Sequence, residues 1–317
     1  VARFWFVGRI GHGRRILAAV TAISPVKTRS RPAAFLALTK PRIIELLLVE
    51  TVPVMIVADK GLPTIWLILA TVLGGTLAAG GANAFNMYLD RDIDRLMNRT
   101  KGRPLVTGEI SPAESLVFAF AIEVVAFVWL WSLVNLLSAI LAVCATLFYV
   151  FVYTLWLKRT STRNIVIGGA AGAVPVLVGW SAVTNDLAWP PVILFLVVFY
   201  WTPPHFWALA IRYRDDYQAA EVPMLPAVAS LKLVTTKILA YTLVLWALTM
   251  GFAPVADMGW IYIASAFALG ATFTWFAVKV MRSPEPAQAM KLFGWSITYL
   301  VLLFGAMAVD QIVRTGV

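Results

Sequence analysis

Charge is scarce in this sequence. Only 13% of its 317 residues are Asp, Glu, Lys or Arg, about half the ~25% of an ordinary soluble domain. The mean hydropathy is +0.82, and the two values together exclude a water-soluble globular fold. Cysteine is scarcer still. Cys144 stands alone, so no internal disulfide can form, and its place in an apolar run predicts a small core residue. Histidine occurs only at His12 and His205, and residues 1–42 hold no acid at all.

What is abundant is apolar sequence in blocks. They run over Ile43–Ala58, Pro63–Leu89, Glu114–Val134, Leu136–Leu157, Asn164–Val183, Trp189–Ile211, Val234–Val255, Trp260–Val280 and Phe293–Val313. Each is near the ~20 residues that cross a ~30 Å hydrocarbon core at ~1.5 Å per residue. The runs are continuous and lack the short alternation of barrel strands. The expected fold is therefore an all-α integral membrane bundle of nine transmembrane helices. All of the 26 Lys and Arg except Lys60 and Arg314 fall on one side of these spans. The positive-inside rule puts that side, and the N-terminus, in the cytoplasm and the C-terminus outside. Orientation thus accounts for the net charge of +10, and a nucleic-acid partner is not expected. The basic stretch 1–36 reads as a flexible cytoplasmic tail before a membrane domain over 37–317. A bacterial cytoplasmic membrane is the favoured location. An Arg-rich, acid-poor start is also compatible with a transit segment to the mitochondrial inner membrane.

The chemistry concentrates in two polar loops on the cytoplasmic side, 90–113 and 212–233, four spans apart, as in a duplicated four-helix half. The first opens with Asn86, Asp90 and Asp94. Their i, i+4, i+8 spacing puts them on one helix face over roughly 12 Å. Two carboxylates so close repel unless a cation sits among them; with the carboxamide they form an all-oxygen wall, and Mg²⁺ suits such a wall where it also meets phosphate. The alternative is a solvated helix end paired to Arg91, Arg95 and Arg99, and Asp92, on another face, reads as a salt-bridge residue. Downstream, Arg99, Lys101 and Arg103 supply the cations that a metal–diphosphate requires. The second loop follows Pro203 and Pro204, which should break or kink the sixth span. If helix resumes, His205, Arg212 and Asp216 line one face, and His205 is a functional candidate by its depth. Asp215 and Asp216 offer a second oxygen cluster. Glu45 and Glu50 in the first span read as a polar network.

At these residues the chain resembles the UbiA superfamily of intramembrane prenyltransferases, whose first aspartate motif has the pattern of Asn86, Asp90 and Asp94. Other strings are similar to the superfamily's heme-farnesylating branch. They are Leu-Thr-Lys-Pro-Arg (38–42), Asp-Arg-Asp-Ile-Asp-Arg-Leu-Met-Asn-Arg-Thr (90–100), Gly-Arg-Pro-Leu (102–105), His-Phe-Trp-Ala-Leu-Ala-Ile (205–211) and Pro-Met-Leu-Pro (223–226). The second aspartate motif departs from the superfamily, leaving Asp215 and Asp216. Glu221 stands where the branch usually has Gly, an extra carboxylate that is a candidate to join the metal site.

The resemblance implies a UbiA-type bundle that joins farnesyl diphosphate, heme b and water into heme O and diphosphate. It implies Mg²⁺ on Asn86, Asp90 and Asp94, with Asp216 through a second ion. Lys40, Arg42, Arg99, Lys101, Arg103, Arg212, Asp215 and Tyr217 would hold substrate, and His205 would orient or ligate the heme iron. Tyr88, Trp201, Phe206 and Trp207 are candidate cation-stabilising aromatics. Implied partners are membrane lipid and heme A synthase or oxidase assembly factors. The rivals are a UbiA-type enzyme for an aromatic or quinone precursor and a noncatalytic heme transporter or delivery factor.

Overall fold

A computed structural model describes residues 29–316, without the side chains of residues 42–48. The described chain is helical. Its elements are α1 (Arg31–Thr39), α2 (Pro41–Asp59), α3 (Ile65–Leu89), α4 (Arg91–Leu96), α5 (Pro104–Thr107), α6 (Pro112–Leu133) and α7 (Leu136–Thr160). They continue with α8 (Asn164–Thr184), α9 (Trp189–Arg212), α10 (Arg214–Ala219), α11 (Leu225–Val228), α12 (Leu231–Val255), α13 (Trp260–Arg282) and α14 (Pro286–Thr315). Among the described residues, eight helices are long and apolar enough to cross a membrane: α3, α6, α7, α8, α9, α12, α13 and α14. The first expected span lies on α2, a 19-residue helix that carries Arg42, Glu45, Glu50 and Asp59 and is not one of the eight.

The long helices form two groups of four. In one, α3 packs on α6, and α7 joins α6 to α8; in the other, α9, α12, α13 and α14 close on one another. The α8–α9 contact joins the groups, and α2 lies against α8 and α14. Small residues set the spacing. A Cβ on Gly168 of α8 would collide with the ring of Tyr153, so only glycine lets α7 bring that ring in.

Three expectations change. The packed chain begins before Ala37, because α1 buries Ala34 and Leu38 against Ala84, Met87, Leu105 and Ile110. Pro203 and Pro204 do not break α9, which runs through both to Arg212. A π-helical stretch, Phe148–Leu157, interrupts α7 instead, and such widened turns often accompany functional sites. Cys144 is exposed on α7 rather than part of the core.

Candidate active site

The acid stripe forms where α3 gives way to α4. Asp90 caps α3 at φ −88°, ψ 4°, yet Asp90 N–H still donates to Asn86 O at 2.9 Å and Asp94 N–H to Asp90 O at 2.8 Å. The one-face arrangement therefore survives the change of helix. All three side chains are buried: Asn86 is 3%, Asp90 0% and Asp94 1% exposed. Ordinary surface acids would lie in water, so the solvated-end reading fails.

Each member has a partner. Asn86 Nδ2 donates to Asp90 Oδ2 at 2.7 Å and to Thr154 Oγ1 at 3.1 Å, and Asn86 Oδ1 accepts from Lys40 Nζ at 2.6 Å. Lys158 Nζ pairs with Asp90 Oδ2. Arg103 Nη1 pairs with Asp94 Oδ2 at 2.6 Å. Arg159 binds Asp92 at 2.8 Å and stands 3.9 Å from Asp90 Oδ1, so Asp92 is the salt-bridge residue its separate face suggested. Lys40 sits in left-handed backbone, φ 54°, between α1 and α2. Burial holds its amine well below the usual lysine range, and Arg103 and Lys158 push the same way against Asp90 and Asp94. Tyr149 and Tyr153 stack at 5.3 Å between centroids on the π-helical stretch, in electrostatic reach of Asp90.

The loop carrying Arg103 is pinned from both sides. Arg29 Nη1 donates to Gly102 O at 3.2 Å and pairs with Glu109 at 2.9 Å. From the second loop, Asp216 accepts from Asn98 Nδ2 at 3.1 Å and from Arg99 N–H at 3.3 Å. Arg99 also bonds the buried Tyr217, whose phenol burial raises and Arg99 draws back. Lys101 bonds Asn98 at 3.0 Å rather than an aspartate. The two polar loops thus meet at one end of the bundle.

The expected shared face of His205, Arg212 and Asp216 does not form, because α9 ends at Arg212 and Tyr213 turns the chain into α10. Arg212 and Asp215 are exposed. His205 is buried between Trp201 and Phe293, with ring centroids 4.3 and 4.4 Å away. Its Nδ1 lies 2.7 Å from Ser296 Oγ, whose own proton goes to Phe293 O at 2.6 Å. In the tautomer this arrangement favours, Ser296 accepts from His205 Nδ1–H. The lone pair falls on Nε2, which makes no hydrogen bond among the described residues. Trp207 and Tyr88 are elsewhere: Trp207 is core against Tyr241, and Tyr88 sits under Arg91. Glu221 is exposed at φ 53°. That left-handed backbone suits the glycine that the resemblance leads one to expect there, and among the described residues no hydrogen bond or ion pair ties its carboxylate to the acid stripe. Glu50 is buried with Oε2 unpartnered among the described residues. Arg42 and Glu45 lie outside the described side chains.

A model of the UbiA prenyltransferase family matches residues 47–304. The chain belongs to the UbiA prenyltransferase family. A protoheme IX farnesyltransferase from Parafrankia sp. is 54% identical over 89% of this chain and 91% of its own length. The enzyme of the same name from Streptomyces coelicolor is 51% identical over 90% of this chain and 92% of its own. Among solved structures, one of digeranylgeranylglyceryl phosphate synthase superposes with a TM-score of 0.74 at 18% identity, covering 89% of this chain and 99% of that one. A UbiA homologue from Archaeoglobus fulgidus, bound to DMAPP and Mg²⁺, superposes at 0.65 and 16% identity, covering 87% and 99%. At those identities the structures establish the UbiA fold alone.

The donor set suits the ion held by that UbiA homologue. Asp90 Oδ1 is buried without a hydrogen-bond partner, and Asn86 and Asp94 add hard oxygens beside it. No three Asp, Glu, His or Cys converge among the described residues, and Asp216 bonds Asn98 and the Arg99 N–H instead of the acid stripe. Sequence reasoning missed Lys158, Arg159, Thr154, Asn98 and Arg29. Lys158 and Arg159 were absorbed into the positive-inside pattern, and no local spacing links them to Asp90.

Proposed function

We propose that the chain farnesylates heme b, converting farnesyl diphosphate, heme b and water into heme O and diphosphate. The observation that carries this is identity above half, over nine-tenths of the chain, to proteins named protoheme IX farnesyltransferase. The buried site supports it. Asn86, Asp90 and Asp94 would hold Mg²⁺, which when bound neutralises the diphosphate leaving group. Lys158 and Arg103 sit on the aspartate oxygens and Lys40 on the Asn86 carboxamide oxygen, and all three are placed to turn onto phosphate oxygens. Arg99, fixed by Asp216 and Tyr217, holds the loop that carries Arg103. Lys101 and Arg42 extend the basic rim.

The bond from farnesyl C1 to the diphosphate oxygen breaks, its electron pair leaving with diphosphate. The π pair of the heme vinyl group forms the new carbon–carbon bond to C1. Water bonds to the resulting cation and loses a proton. Tyr149 and Tyr153 present π faces beside the acids where the allylic charge develops. His205 Nε2, oriented through Ser296, would ligate or position the heme iron. We place the enzyme in a bacterial cytoplasmic membrane, with the site on the cytoplasmic side and heme A synthase or oxidase assembly factors taking its product.

Purified protein in lipid bicelles with heme b, farnesyl diphosphate and Mg²⁺ should yield the heme O mass. Prenylation of an aromatic acid with heme left untouched would assign the chain to another UbiA reaction. Heme binding without any prenyl transfer would make it a delivery factor.

A further inference from the structure

We propose that a recess at the junction of α9, α10 and the start of α14 is a carboxylate site that takes the propionates of the heme. The inference rests on heme being the acceptor. The recess has a volume of about 260 Å³ and is walled by Arg212, Arg214 and Asp215 opposite Pro284 and Pro286, with Leu231 beside them.

Its cations differ from those of the acid stripe. Lys158, Arg103 and Arg159 are each held by an aspartate. Among the described residues, neither the Arg212 nor the Arg214 side chain makes a hydrogen bond or ion pair, even with Asp215 in the same wall. Arg214 Nε is closed off from solvent without an acceptor. A charged donor left in that state is repaid only when an anion arrives. Two guanidinium groups against one carboxylate leave the wall with a net positive charge, and a planar fork matches a carboxylate.

Position selects the ligand. Asp216 and Tyr217 tie α10 to the loop carrying Arg99 and Arg103, whereas Arg214 and Asp215 of the same helix line the recess. A diphosphate among the acid-stripe cations therefore lies across α10 from this pocket. The seam of α9 and α14 leads inward from it. Pro286 stands at the mouth, and Phe293 and Ser296 on the same helix hold His205. His205 is seven residues from Arg212, about 10 Å along the helix axis. An amphipathic porphyrin, with carboxylates at the polar mouth and iron toward Nε2, spans that interval. Asp215 then forms the rim beside the propionates and must turn toward an arginine.

Heme b and its propionate dimethyl ester serve as paired acceptors, assayed with farnesyl diphosphate and Mg²⁺ in neutral bicelles. The wild type should show a KM about tenfold or more higher for the ester. Arg212→Gln/Arg214→Gln should raise the KM for heme to that of the ester while the KM for farnesyl diphosphate stays put. Arg212→Lys/Arg214→Lys, which keeps the charge, should retain part of the discrimination. Equal KM values for heme and ester in the wild type would overturn the inference, whatever the variants do. So would variants that keep full discrimination, or that lose only a dependence on anionic lipid, which would make the pocket a lipid-headgroup site. No product from heme in the wild type would instead sink the farnesylation reading itself.

Discussion

The two polar loops hold their acids in opposite ways. After α3, Asp90 and Asp94 are fully buried, each against a cation, and one Asp90 oxygen has no hydrogen-bond partner. After α9, Asp215 is exposed, and Asp216 is spent on Asn98 and the Arg99 backbone. Burying a charge is costly unless it is paired or coordinates a metal. The first loop bears that cost at its acids, which is why the proposed metal is placed there. In the second loop Asp216 bonds the first loop, so under the proposed function its role is to position that loop.

That contrast can be broken by substitution. The largest effect is expected at Asp94→Asn, which removes a metal oxygen and the counter-charge of Arg103; turnover should fall by at least about 100-fold. Asp216→Asn should cost about tenfold or less, chiefly in the KM for farnesyl diphosphate. Equal losses at the two positions would erase the distinction drawn here. Lys158→Gln comes next. It removes the nearer of the two cations at Asp90, and a broken buried pair costs up to about 3–5 kcal/mol, so thermal unfolding should report the loss alongside a drop in rate. Arg29→Ala should raise the KM for farnesyl diphosphate about threefold by loosening the Gly102–Arg103 segment, and Arg29→Lys should recover part of it. A double mutant with Arg103→Gln should show non-additive losses if Arg29 acts through that loop.

The smallest effect is expected at Asp92→Asn. The hydrogen bond from Arg159 holds the Asp92 carboxyl well below its ordinary range. Its stabilisation is full above the unfolded carboxylate range, near pH ~4, and fades as pH falls through the lowered value. The side chain is 62% exposed, so solvent screens most of the benefit. Activity should stay within about twofold at pH 7, and only acid tolerance should shrink.

Local patterns carried much of this. Asn86, Asp90 and Asp94 were legible because a four-residue period survives the turn at Asp90, and the long helices because apolar runs have a membrane's length. What was not legible depends on tertiary contact. Lys158 lies far along the chain from Asp90, and only packing of α7 on α3 brings them together. Arg29 looked like part of a basic tail until Glu109 met it. The prolines at 203 and 204 misled for a related reason: two missing N–H donors suggest a break, but α9 stays helical within a packed bundle. Glu221 carries a partial signal, since a glycine expected at that position is what a left-handed turn prefers.

The central claim is that the buried acid stripe, not the heme pocket, carries prenyl transfer. The direct measurement is a paired mass assay and Soret spectrum on wild type and Asp90→Asn, each with heme b, farnesyl diphosphate and Mg²⁺. The account predicts matching Soret bands in both proteins and heme O only in the wild type. Heme O from Asp90→Asn at a near-normal rate would contradict it.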